Sequence, residues 1–314
     1  MRAHIHGYWK CNRPIIFWID MTNMKLSLNT KIALLITIIL WASAFTGIRA
    51  GLESFKPGAL ASLRFFVASI CMIIIYFRLP ERTLIVWRDK ILLLFVGAVG
   101  VGFYNIALNY GEMSVPSGIA SFIVSQSPII TALLAIFFLS ESFNRYLFLG
   151  TFISIFGVGL IALGGAHQFD LTKGVFAVLI ATLIGGIFSV VQKPFLKRYH
   201  PMEVTAYIIW GSALSLLIYL PSAAHELSGA SFESTASAIY LGVFPAAIGY
   251  ATWSYALKEI PASKAASFLY FLPGIALVLG WACLHEAPAL LSLIGGAIAM
   301  FGVWVVNRSK AISN

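Results

Sequence analysis

Apolar runs of about the length that crosses a bilayer, roughly 20 residues for a helix, recur ten times along this chain. They fall at 31–49, 57–78, 90–110, 115–140, 145–164, 173–192, 203–220, 236–257, 261–284 and 288–306, with short polar breaks between them. A water-soluble fold would have to hide all of these faces at once. With 60% hydrophobic and 11% charged residues, against roughly 25% charged in a soluble domain, the chain has too little polar surface to do so. The expected fold class is therefore an all-α integral membrane protein of ten transmembrane helices.

The formal charge of +9 does not point to nucleic acid, because the basic residues lie in the breaks between apolar runs and form no single basic face. They sort by side. One set of breaks holds Arg78, Arg82, Arg88, Lys90, Arg145, Lys193, Lys197, Arg198, Lys258, Lys264, Arg308 and Lys310; the opposite set holds Arg49, Lys56 and Lys173. The positive-inside rule then puts both termini in the cytoplasm, and fewer than ten spans would break the alternation. Residues 1–30 read as a cytoplasmic tail, within which Met24 opens a second start, and 308–314 read as another tail. Cys11, Cys71 and Cys283 show no metal or disulfide spacing, and no metal site or cofactor is expected.

Self-comparison divides the chain into two repeats, 31–165 and 172–307. At an offset of 145, Tyr110 falls on Tyr255, Pro116 on Pro261, Pro128 on Pro273, Glu141 on Glu286, Gly150 on Gly295 and Gly157 on Gly302. At 144, Pro57 meets Pro201, Leu52 meets Leu196 and Arg49 meets Lys193. Five helices per repeat is an odd number, so the second repeat must enter the membrane inverted. Inverted repeats are a construction of secondary transporters that expose one midplane site to alternate sides.

The runs WASAFTGIRAGL, SLRFFVAS, VPSGIASFIVSQSPIITALLAIFFLSESF and LGTFISIFGVGLIALGG resemble the first repeat of the EamA-type drug/metabolite transporter family. PASKAASFLYFLPGIALVLGWACLHEAP and LIGGAIAMFGVWVV resemble its second repeat. The resemblance implies a bacterial inner-membrane carrier of amino acids or other metabolites. It also implies a central site between the first, third, fourth, sixth, eighth and ninth helices.

Candidate site residues are those whose polarity is costly in lipid. Ser121, Ser125 and Gln126 precede Pro128 in the fourth helix, with helix packing through small polar residues as the competing reading. Asn105 and Asn109 lie one turn apart in the third, opposite Tyr250, Trp253 and Ser254 of the eighth; Tyr270 stands in the ninth, and Trp41 and Ser43 in the first. Pro128 and Pro273 sit near the membrane middle and read as paired hinges that free the carbonyls of Val124 and Leu269. Arg64, the one charge well inside a span, is expected to snorkel outward in a structural or gating role. Glu141 and Glu286, at helix ends, take the same structural or gating role.

No acidic residue or histidine falls in the middle of a span, which disfavours a proton relay through a buried acid. No nucleophile elbow, zinc motif or phosphate loop is present, so an enzyme is not expected. The reading is a secondary transporter of amino acids or related zwitterions working by alternating access. The alternative is a non-transporting membrane protein that keeps the fold. Expected partners are a small-molecule substrate and lipid, with no nucleic acid; a homodimer is an allowed assembly.

Overall fold

The computed structural model describes residues 26–80, 82–139, 149–150, 152–157, 159–160, 173–285 and 289–308. Among these, eight helices are long and apolar enough to cross a bilayer. They are α1 (Leu28–Leu52), α2 (Pro57–Phe77), α3 (Trp87–Glu112), α4 (Ser117–Leu139), α6 (Lys173–Arg198), α7 (Pro201–Leu227), α8 (Phe232–Glu259) and α9 (Ala262–Leu284). Two further helical stretches complete the order: α5, the helical residues between 149 and 160, and α10 (Leu290–Arg308). Glu141 and Glu286 lie outside the described residues.

Helix starts follow local chemistry. Ser27 and Ser231 accept hydrogen bonds from the backbone N–H three residues on, and Pro57 and Pro201 open α2 and α7, where a missing N–H costs nothing. Several helices outrun the apolar runs, α7 reaching Leu227 and α6 reaching Arg198, because polar residues continue a helix into the interface once its turns are nucleated. Large side chains such as Phe66, Phe95, Phe137 and Ile218 face outward, as lipid allows. Apolar burial therefore supplies little drive for helix association, and close backbone contact does more.

Those contacts repeat by symmetry. A Cβ on Gly97 of α3 would lie 2.0 Å from the Ile208 carbonyl oxygen of α7; its counterpart Gly242 of α8 would lie 2.7 Å from the Arg64 carbonyl oxygen of α2. α5 and α10 cross each other through Gly157, whose Cβ would lie 2.5 Å from Gly295 O, and Gly302, 2.5 Å from Gly150 O. Ser154 Oγ donates to Ala299 O there at 3.0 Å, across a separation of 145 residues. The glycine spacing of the two fifth-helix segments is thus the signature of two equivalent helices packed on one another.

Of six interruptions in the long helices, the break at Gln192 of α6 and the 3-10 turn at Leu217–Tyr219 of α7 have no counterpart in the other repeat, and the other four fall in equivalent pairs. α3 widens to a π-helix at Ala98–Phe103 and α8 at Gly242–Ile248, at an offset of 145. α4 breaks after Val124 and resumes at Ser127; α9 tightens to a 3-10 turn at Phe268–Phe271 and resumes at Leu272. This corrects the local reading of Pro128 and Pro273. They stand in the first turn of a resumed helix, where proline is tolerated, not within a continuous one. The freed carbonyls are taken up nearby: Ser125 Oγ and Gln126 Nε2 both donate to Phe122 O, at 2.6 and 3.3 Å, and Thr182 Oγ1 donates to Ile123 O at 3.3 Å.

The connection from α2 to α3 is tied to the corner between α6 and α7. Asp89 Oδ2 accepts from the Tyr199 hydroxyl at 2.6 Å and pairs with Arg198 at 2.9 Å. Thr83 donates through its N–H and hydroxyl to Glu203. The hydrogen bond to Asp89, with burial, pushes the Tyr199 phenol above its ordinary value. A raised phenol keeps this contact intact below the usual tyrosine pKa, about 10, and loses it only as pH climbs through the raised value. Asp89→Asn should therefore bring one phenol back toward the ordinary range, read as the difference in tyrosinate absorbance between variant and wild type. An unchanged titration would dismiss the contact.

Candidate functional site

A cavity of about 60 Å³ sits at the centre of the bundle, lined from α1, α2, α3, α4, α6, α8 and α9. Most of its lining falls at equivalent positions of the two repeats: Val124 corresponds to Leu269, Ser127 to Leu272, Asn105 to Tyr250, and Trp41, Ala44 and Phe45 of α1 to Gly185, Phe188 and Ser189 of α6. The cavity thus lies on the axis that relates the repeats. The paired side chains differ, so the symmetric backbone encloses an asymmetric chemistry.

One wall is aromatic. The Trp41 ring lies 5.2 Å from Tyr250 and 5.3 Å from Trp253, and Phe188 lies 6.0 Å from Tyr250. Trp41 Nε1 donates to Pro245 O at 3.1 Å, so the π-helical turn of α8 supplies the acceptor that orients the indole. Tyr104 completes the lining on the α3 side.

The other wall carries a charge. Arg64 is 4% exposed, and its Nη1 donates to Asn105 Oδ1 at 2.8 Å while its Nε has no hydrogen-bond partner. Asn105 Nδ2 is occupied by Val101 O at 2.8 Å, which fixes the amide with its oxygen toward the guanidinium. The expectation that Arg64 snorkels to the surface is therefore corrected. Its backbone packs against Gly242 of α8, so this face of α2 is interior and the side chain turns toward α3. The equivalent position in the second repeat is Ile208, which leaves Arg64 as the one cation among the lining residues.

Of the expected site residues, Trp41, Asn105 and Tyr250 line the cavity together with Arg64. The others are placed differently. Trp253 is fully buried behind Trp41, Ser43 Oγ shares a 2.6 Å hydrogen bond with the Tyr240 hydroxyl, and Asn109 Nδ2 donates to Pro57 O at 3.0 Å, holding the start of α2. Ser121 and Ser125 return their hydroxyls to their own helix, on Gly118 O and Phe122 O, each at 2.6 Å. Gln126 Oε1 is buried without a hydrogen-bond partner, and Tyr270 is buried off the cavity wall. Tyr104, Phe188 and Ser189 were missed, because an aromatic or serine on an apolar helix reads the same whether it faces lipid, a neighbour or a cavity. The offset would have found Ser189, through Phe45 of the family's first-helix motif.

The lining residues offer one cation, one amide, two serine and two phenol hydroxyls and five aromatic rings, with no carboxylate among them. A guanidinium with unused N–H groups recognises a carboxylate, and an aromatic face attracts an ammonium. The cavity as it stands has room for a few waters, well short of the few hundred Å³ that ligand sites enclose.

Comparison with known proteins adds the following. The model of the EamA-like transporter family matches twice, at residues 29–163 and 172–308. A probable terminal-alkyne amino-acid exporter of Streptantibioticus cattleyicolor is 36% identical over 91% of this chain and 95% of its own length. An uncharacterized transporter of Bacillus subtilis, YdfC, is 36% identical over 89% of this chain and 91% of its own. A solved crystal structure superposes with a TM-score of 0.65 at 17% identity, covering 91% of this chain and 99% of that one; it shows the shared fold.

Proposed function

The chain belongs to the EamA-like transporter family, small-molecule transporters of the drug/metabolite superfamily embedded in the inner membrane, and we propose that within it this protein carries amino acids or closely related zwitterions by alternating access. The observation that carries the substrate class is the buried Arg64 guanidinium facing the Trp41–Tyr250 aromatic wall across a cavity without carboxylates. The substrate carboxylate takes the unused donors of Arg64. Its ammonium lies over the rings of Trp41 and Tyr250. A multiply charged phosphate would need more than one cation. The similarity to an amino-acid exporter supports the same class.

The mechanism follows from the inverted arrangement that ten crossings with both termini cytoplasmic produce. The paired interruptions before Pro128 and Pro273, and the paired π turns of α3 and α8, give each repeat the same two weak points. Bending one repeat's pair opens the cavity to one side, and bending the other's opens it to the opposite side. The small cavity is the intermediate with both sides closed.

Uptake into proteoliposomes with a panel of amino acids, amines and carboxylates tests this reading. Zwitterions should move while their decarboxylated amines do not; equal flux of both would remove Arg64 from recognition, and no flux of any solute would leave a non-transporting protein of this fold. Trp41→Ala should weaken transport by about tenfold, the worth of one desolvated cation–π contact at roughly 1–2 kcal/mol. Trp41→Phe, which keeps a ring but loses the bond to Pro245 O, should fall in between.

A further inference from the structure

Arg49 and Lys193, the basic pair that the two repeats share at an offset of 144, make the same unusual contact. Arg49, at the end of α1, donates through Nη1 to Glu112 O at 2.6 Å and Met113 O at 3.4 Å, the final carbonyls of α3. Lys193, near the end of α6, donates through Nζ to Leu257 O, to Lys258 O at 3.3 Å and to Ile260 O at 2.7 Å, at the end of α8. Residues 112 and 113 correspond to 257 and 258 at the 145 offset. Their side chains do not match, Glu against Leu and Met against Lys, so what the repeats preserve is a cation on terminal carbonyls. Such carbonyls have no partner within their own helix and carry the negative end of its dipole. Here the cation comes from another helix, so each contact ties two helices together.

Both ties bridge walls of the central cavity. Arg49 follows the lining residue Ile48, and Glu112 lies one turn beyond the lining residue Leu108. Lys193 lies one turn beyond Ser189, and Leu257 two turns beyond Tyr250. Because the repeats are inverted, the two ties sit at opposite ends of the cavity.

We infer that Arg49 and Lys193 are a matched pair of latches, Arg49 closing the cavity toward the outside and Lys193 closing it toward the cytoplasm; this rests on the alternating-access reading. With both engaged the cavity is small, as observed. Release of either one lets its two helix ends part and opens one side only.

The test uses the full chain with Cys11, Cys71 and Cys283 replaced by serine, one reporter at a time (Leu108→Cys or Ser189→Cys), and a membrane-impermeant thiol reagent applied to vesicles of each orientation. Arg49→Ala should raise labelling of the Leu108→Cys reporter from the outside by about tenfold, the scale of one lost charged hydrogen bond, and lower labelling of the Ser189→Cys reporter from the inside. Lys193→Ala should do the reverse. Arg49→Lys and Lys193→Arg should restore the wild-type pattern, which a merely structural role would not predict. If an alanine variant does not insert, Arg49→Gln and Lys193→Gln should give smaller shifts with the same opposed signs. Parallel shifts, or none, overturn the latches. Solute flux measured in the same vesicles keeps the two readings apart: flux without opposed shifts removes the latches and leaves the carrier, whereas opposed shifts without flux remove the carrier and leave the latches.

Discussion

Arg64→Ala is expected to abolish measurable transport, by a hundredfold or more, while leaving the folded protein as stable as before or more so. The two halves of that expectation have separate causes. Arg64 is buried with one donor on Asn105 Oδ1 and its Nε without a hydrogen-bond partner, so burying its charge costs more than its hydrogen bonds return, and removing it relieves that cost. If a substrate carboxylate completes its hydrogen bonds, however, removing the guanidinium strands that carboxylate in a low-dielectric cavity. Truncating one partner of a buried charged pair costs about 2–5 kcal/mol, and 1.4 kcal/mol is a factor of ten. Arg64→Lys should recover little, because a single ammonium cannot keep Asn105 Oδ1 and also grip a carboxylate through two donors. The measurement is proteoliposome uptake of whichever panel solute the wild type moves, beside the melting temperature of the same preparation. Transport retained within a few-fold would take Arg64 out of recognition. Transport and stability falling together would make it a structural residue.

Eight of the expected spans were legible in the sequence because lipid imposes a length, and the repeat because prolines and glycines sit where helices start and cross. Pro57 and Pro201 open helices, and Gly157 and Gly302 pack α5 on α10; neither role tolerates much substitution, so both copies keep the residue. The site was half legible. Asn105, Trp41 and Tyr250 stood out as polar or aromatic groups at equivalent or motif positions, and they do line the cavity. Which way Arg64 turns was not, because depth along a helix fixes how far a side chain could reach toward water but not which neighbour its face meets. That direction is set by Gly242, 178 residues away in the chain. The serine row failed for a related reason. A hydroxyl on an interrupted helix satisfies its own loosened carbonyls first, as Ser121 and Ser125 do, and the interruption depends on tertiary packing. Burial at helix ends was equally hidden: Glu112 and Glu203 are both fully buried, although a position at the end of an apolar run reads as solvated.

The second large effect is expected at the crossing of α3 and α7. Gly97→Ala should remove most of the folded protein, because its Cβ would meet the Ile208 carbonyl oxygen at 2.0 Å and the carbon behind it at 2.8 Å. These are backbone atoms, which no rotamer change can move aside. Gly211 faces the same crossing, with a Cβ 2.1 Å from Leu94 O, and Ser212 Oγ donates across it to Gly97 O at 2.9 Å. Relief requires the helices to part, which breaks that hydrogen bond and the tight contact together. Overpacking costs about 1–3 kcal/mol and occasionally more, and a backbone clash of this depth belongs at or beyond the upper end. Gly97→Ala combined with Gly211→Ala should cost less than the sum, since the first substitution already separates the helices and neighbouring sites do not add. Gly274→Ala, with nothing within 4 Å of its Cβ, should be neutral or gain up to about 1 kcal/mol from helix propensity. Melting of detergent-solubilised protein orders the series, and a Gly97→Ala variant as stable as wild type would refute the close crossing. Gly242→Ala is the informative intermediate. Its Cβ would meet the Val67 Cβ at 2.6 Å and the Arg64 carbonyl oxygen at 2.7 Å, both fixed to α2, so a clash shallower than that at Gly97 falls on the backbone that aims Arg64. Transport should therefore fall further than stability in that variant, because a displacement the bundle can absorb is still enough to draw the guanidinium away from Asn105 and the cavity.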